Sequence, residues 1–68
     1  MPGQKKNMKR RIEIVELLSY GFRAKYIGEK IGVNTRTVEM YVRRMLTENG
    51  CDNTTHLVAT CLRKEIIK

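Results

Sequence analysis

The chain of 68 residues has no tryptophan and only one phenylalanine, one proline and one histidine, and each scarcity removes a class of protein. No apolar run approaches the roughly 20 residues needed to span a bilayer. The N-terminus is basic but lacks the apolar stretch of a signal peptide, so a cytoplasmic protein is expected. Two cysteines in such a chain are expected to be reduced rather than bridged. Cys51, His56 and Cys61 do not read as a zinc set. On one helix His56 and Cys61 point in different directions, a fourth ligand is missing, and the spacing departs from the structural zinc patterns. With a single histidine and no pairing of acids or of nucleophile with base, neither an enzyme nor a bound cofactor is expected. Strand signals, repeats and low-complexity segments are also missing.

What is present is positive charge and helical periodicity. Fourteen Lys and Arg stand against seven Asp and Glu, a net charge of +7. Five of the cations (Lys5, Lys6, Lys9, Arg10 and Arg11) precede the first acid, Glu13. A polyanion is the economical partner for such a domain. A membrane surface is the rival polyanion, weakened because the first helix has no aromatic anchors on its apolar side. A chain this short buries only ~60% of its unfolded surface, so it makes one domain, and a wide active-site cleft would consume much of its core.

The periodicity predicts an all-α domain of four helices. Residues 1–6 read as a disordered basic tail, and residues 7–68 as the folded domain. Asn7 is placed to cap a first helix over about 7–19, whose apolar side is Ile12, Ile14, Val15, Leu17 and Leu18, with Gly21 ending it. A second helix over about 23–31 turns Tyr26, Ile27 and Ile31 toward the core. Gly28 in its middle costs ~1 kcal/mol relative to Ala, which a close helix–helix approach would explain, chance being the alternative. Gly32-Val33 makes a turn, and Asn34 caps a third helix over about 34–48 that Asn49-Gly50 ends. Asn53 or Thr54 caps a fourth helix over about 54–67. Its Leu57, Val58 and Cys61 face the core. Ala59, Leu62 and Ile66 form a second surface, either a site for another copy of the chain or a widened core face.

The third helix has two incompatible faces. Val38, Val42, Met45 and Leu46 make an apolar stripe, while Arg36, Glu39, Met40, Arg43 and Thr47 recur on a face that looks outward. A helix, a short Gly-containing turn and a second helix presenting Arg and hydrogen-bonding side chains is the helix-turn-helix arrangement, which places its second helix in a major groove.

These segments resemble the LuxR/GerE-type helix-turn-helix domains. Residues 17–28, LLSYGFRAKYIG, resemble that family's LLAxGxSNKEIA block, and residues 31–41, IGVNTRTVEMY, resemble the LxISxxTVKxH block. Residues 50–58, GCDNTTHLV, resemble the GVxNRTEAV stretch, with Cys51 at a Val position that suits a small buried hydrophobe. The resemblance covers roughly residues 8–66. There are departures. The opening LTxRE is represented by little more than Arg10, the basic residue after Thr-Val is Glu39, the usual His is Tyr41, an apolar position is Asn49, and the Arg before the fourth helix is Thr54. The resemblance implies a four-helix domain whose third helix reads DNA, in most members as a homodimer held by the fourth helix and attached to a sensor or receiver domain. Here it implies either a stand-alone member or an excised fragment.

It also assigns contacts. The family's outward contacts map to Glu39, Met40 and Arg43. Arg43 suits bidentate binding to guanine. Ionised Glu39 suits the cytosine amino group, unless it pairs with Arg43 one turn away. Thr35 and Thr37, in the first turn, can cap the helix or hold phosphate, and Arg23, Lys25, Arg36 and Arg44 are further phosphate candidates. Ala59, Leu62 and Ile66 are the expected dimer surface. Tyr41 is expected to pack its ring inward. The leading expectation is a sequence-specific DNA-binding transcriptional regulator of bacterial or phage origin, associated with the nucleoid, with double-stranded DNA as partner and RNA polymerase as a further candidate. The alternative is a protein-interaction module that kept the fold and binds another regulator or RNA polymerase. Non-specific nucleic-acid binding is a third reading, separable by its lack of sequence preference.

Overall fold

The computed structural model describes residues 2–68, with side chains from Met8 onward. Four helices follow in order, α1 (Pro2–Ser19), α2 (Ala24–Ile31), α3 (Thr35–Glu48) and α4 (Thr54–Arg63), with no strand among the described residues. The start expected at Asn7 falls inside α1. The cap expected from Asn7, and the side chains of the tail expected over residues 1–6, lie outside the described residues.

Local chemistry explains the helix starts. Asn34 sits in extended backbone and its Oδ1 accepts the Thr37 N–H at 2.8 Å, satisfying one of the free donors that open α3. Asn53 does the same for His56 N–H at 2.8 Å, and the His56 ring answers by accepting the Asp52 N–H on Nδ1 at 3.2 Å. His56 is thereby part of a two-way cap at the start of α4.

Three of the four helix ends follow one scheme. After α1, Gly21 N–H bonds Leu18 O and Phe22 N–H bonds Leu17 O; after α3, Gly50 and Cys51 repeat the pattern on Thr47 and Leu46. Both glycines have positive φ, as this closure demands. α4 closes identically, although no glycine is there. It ends at Arg63 instead of running to 67, because Glu65 takes φ 58° while its N–H reaches Leu62 O and Ile66 N–H reaches Cys61 O. The reversal carries Ile67 into the core, where it is 4% exposed. Burying an isoleucine returns about 1.5–3 kcal/mol. That offsets the roughly 1–2 kcal/mol that a left-handed non-glycine residue costs.

Every helix contributes to the core: Ile14 and Val15 from α1, Ile27 from α2, Val38 and Met45 from α3, Leu57 and Cys61 from α4, with Ile67 closing it. Tyr26 does not join them as expected. Ile27 occupies the inward direction, and Tyr26, one residue earlier, is left 43% exposed with its ring 4.5 Å from that of Phe22. Gly28 is explained by a close approach, though not that of a helix. A Cβ there would lie 2.5 Å from the Val33 carbonyl oxygen, so the turn itself rests on the helix. α2 and α3 pack most extensively as a result.

Two substitutions should therefore move stability in opposite directions. Gly28→Ala gains ~1 kcal/mol of helix propensity. It forces the turn outward, however, and the net result should be a loss within the about 1–3 kcal/mol range of overpacked sites. Glu65→Gly removes left-handed strain worth roughly 1–2 kcal/mol against a glycine entropy cost of about 0.5–1 kcal/mol. It should raise the melting temperature by a few degrees. Thermal denaturation followed by circular dichroism reads both.

Candidate nucleic-acid interface

With Val38 and Met45 held in the core, the opposite side of α3 must face solvent. Thr35, Arg36, Glu39, Met40 and Arg43 line one open concave surface there, with Met40 63% exposed. All three expected base-contact residues, Glu39, Met40 and Arg43, are thus brought together, joined by Thr35 and Arg36 from the phosphate set. Glu39 does not neutralise Arg43: among the described residues the ion pair is Arg11–Glu48. The Arg43 guanidinium is therefore uncommitted, and the Glu39 carboxylate stands beside it as an acceptor. Thr47, also expected outward, turns its hydroxyl back to the Arg43 carbonyl at 3.2 Å.

The remaining phosphate candidates divide. Thr37 spends its N–H on the Asn34 cap and keeps its hydroxyl. The N–H groups of Thr35 and Arg36 open the helix at its positive end. Thr37 and Arg44 lie on a flanking cleft with Arg11, Met40 and Tyr41. Arg23 and Lys25 are exposed at the start of α2, where Arg23 is the N-terminal flanking residue and makes no side-chain cap. Arg11 was not among the sequence candidates. It sits far upstream on α1, and only the packing of α1 against α3 brings it here.

On the other side of the molecule, Ala59 and Leu62 line a groove with Leu18, Ser19 and Val58 between the end of α1 and α4. Leu62 is 45% exposed. Ile66 is equally exposed but, lying beyond the end of α4, it lines a different groove beside Met8, Ile12 and Met45. Cys51 and Cys61 are free thiols. Burial pushes the Cys61 thiol above its usual range, the neighbouring Cys51 adds to the rise, and Lys64 opposes it. It behaves as a small core hydrophobe. Among the described residues no three His, Cys, Asp or Glu side chains are grouped to hold a metal, and no helix is long and apolar enough to cross a membrane.

A capped helix is seated on the preceding one, its outer side lined with guanidinium and hydrogen-bonding groups, and comparison with known families adds a name to that arrangement. The family model described as bacterial regulatory proteins, luxR family, matches residues 8–61. The chain belongs to the LuxR family of bacterial regulatory proteins. Two relatives, both described as oxygen regulatory protein NreC, from Staphylococcus aureus strains JH9 and JH1, are 33% identical over 60 residues, 88% of this chain and 28% of theirs. The LuxR-type domain here thus spans less than a third of the curated relatives it matches. No solved structure gives a significant match. In that family the LuxR-type helix-turn-helix domain is the DNA-binding part of a transcription regulator.

Substituting Arg43 tests its place on this surface. If Arg43 meets a base edge, Arg43→Ala should relax base preference at one position of the bound sequence, at a cost of about 1–3 kcal/mol, with helicity unchanged. Binding titrations on single-base variants of the preferred duplex read this. Uniform weakening on every sequence would reassign Arg43 to a phosphate.

Proposed function

We propose that this domain recognises a specific double-stranded DNA sequence, with α3 in the major groove and two copies of the chain bound across a two-fold axis through α4. The observation that carries the reading is the single exposed surface holding Arg36, Glu39, Met40 and Arg43, where an uncommitted guanidinium and a carboxylate stand side by side. A guanidinium alone would serve any polyanion. A carboxylate there repels phosphate, and it is useful where it can accept from a base edge such as the cytosine amino group. Roles follow by position. Arg43, Glu39 and Met40 meet base edges. Thr35 and Arg36, at the positive end of α3, and Arg23 and Lys25, at the start of α2, meet backbone phosphates on either side.

The dimer reading is supported by the exposed Leu62 and Ala59 beside Leu18 and Val58, a largely apolar groove left open among the described residues. Two chains of charge +7 repel, so association should be weak in solution and strengthened on DNA. There both half-sites raise the effective concentration, and phosphates relieve the repulsion.

Selection of bound duplexes from a random pool tests specificity. An enriched two-fold-symmetric motif is the expected result, with affinity falling log-linearly as salt rises. Steep salt dependence without enrichment would mean non-specific binding, and no duplex binding would favour the protein-interaction alternative. For the dimer, Leu62→Glu should abolish cooperative filling of a symmetric site while leaving half-site affinity and helicity nearly unchanged. Cooperative binding by that variant would rule out α4 as the dimer surface.

A further inference from the structure

α1 and α3 enclose an open cleft of about 220 Å³ lined by Arg11, Thr37, Met40, Tyr41 and Arg44. Among the described residues its polar side-chain groups are two guanidiniums and two hydroxyls, with no carboxylate. Thr37, Met40, Tyr41 and Arg44 recur at helical spacing on the flank of α3, and Arg11 approaches from α1. Met40 also lines the surface that holds Glu39 and Arg43, so the cleft adjoins the base-facing side of the helix.

Arg11 is anchored without being used up. Its Nη1 donates to Glu48 Oε1 at 2.8 Å, the described ion pair that ties α1 to α3. Glu48 lines the neighbouring apolar groove and not this cleft. A guanidinium has five N–H donors in a planar fork, of which a carboxylate takes two at most. Nε of Arg11 is buried and has no acceptor among the described residues. A cation held in one orientation by a carboxylate on one side, with donors in excess, is pre-organised for a second anion. Arg44, a full cation in the same cleft, makes that anion the better bound. The volume is several times a water's share of about 30 Å³, enough for a phosphodiester group with its solvent.

Resting on the DNA-binding reading above, we infer that this cleft is a phosphate clamp, in which Arg11 and Arg44, aided by the Thr37 hydroxyl, grip one backbone phosphate of the duplex that α3 reads. The clamp carries no sequence information. It sets how deeply and at what roll α3 sits in the groove, because the phosphate is gripped from two helices at once. Glu48 is a positioning residue for Arg11.

Two substitutions break the same ion pair with opposite effects on charge. Duplex titrations between about 50 and 200 mM salt, paired with thermal melts, compare them. Arg11→Gln should weaken binding roughly 5–10-fold near 0.1 M salt and reduce the log–log salt slope by about 1. Glu48→Gln keeps an Oε1 acceptor to hold Arg11 but removes the negative charge, so it should bind at least as tightly as wild type. Both should melt alike, slightly below wild type. Arg11→Lys restores the charge and should recover the slope, which separates loss of a contact from loss of the fold. A single methylphosphonate at the gripped phosphate should weaken the wild-type domain but leave Arg11→Gln indifferent. The clamp is wrong if both variants weaken binding equally, since the pair then serves only to hold α3, or if Arg11→Gln keeps the wild-type slope. A wild-type domain with no salt-dependent duplex binding would fail before any variant is compared, and it would reject the DNA reading itself.

Discussion

The rest of the structure depends on how closely the turn over residues 32–34 can approach α2. The Gly28 carbonyl accepts both the Gly32 and Val33 N–H groups at 2.9 Å, and the Val33 oxygen lies where a side chain at 28 would have to be. A turn seated on the helix leaves little freedom in the angle between α2 and α3. That angle determines which side of α3 meets the core. In a domain this small each core residue counts, and Val38 and Met45 can both be buried only if α3 lies where the turn puts it.

Once the inner stripe of α3 is committed, its other two flanks acquire distinct chemistry. One flank carries Glu39, Met40 and Arg43 on an open surface, suited to reading a pattern of donors and acceptors. The adjoining flank, with Arg44 and Thr37, faces Arg11 from α1 and is suited to gripping a charge. The Arg11–Glu48 pair is partly exposed and contributes little stability, about 0–1 kcal/mol. Its consequence is geometric: it ties α1 to α3 beside the cleft that Arg11 shares with Thr37 and Arg44.

The C-terminal end shows a local preference yielding to tertiary packing. The apolar residues after Arg63 have helical spacing, and no glycine or proline interrupts them. The chain nevertheless reverses at Glu65, because Ile67 then fills the core that α1, α3 and α4 leave open. Ile66 is thrown outward by the same reversal and separated from the Leu62 groove that its spacing on an uninterrupted helix would have joined. At the α1–α2 corner, the Phe22 and Tyr26 rings lie tilted against each other at the surface for a similar reason, since Ile27 takes the inward position.

The sequence by itself determined what depends on neighbours along the chain. Helix starts at Asn34 and Asn53, and ends at Gly21 and Gly50, follow from hydrogen bonds and φ angles within a few residues, so they were legible in the residues. The two-faced character of α3 follows from a period of 3.6 residues, and it correctly grouped Glu39, Met40 and Arg43. What only the tertiary structure decided depends on residues far apart in the chain. Gly28 was recognisable as a close approach, but its neighbour was not, because nothing local says whether a helix or a turn will lie against it. Arg11 looked like one cation in a basic N-terminal run until the packing of α1 on α3 set it beside Arg44 and Glu48. Periodicity says which residues share a side of one helix. Only the packing of several helices into one small core says which sides of different helices meet.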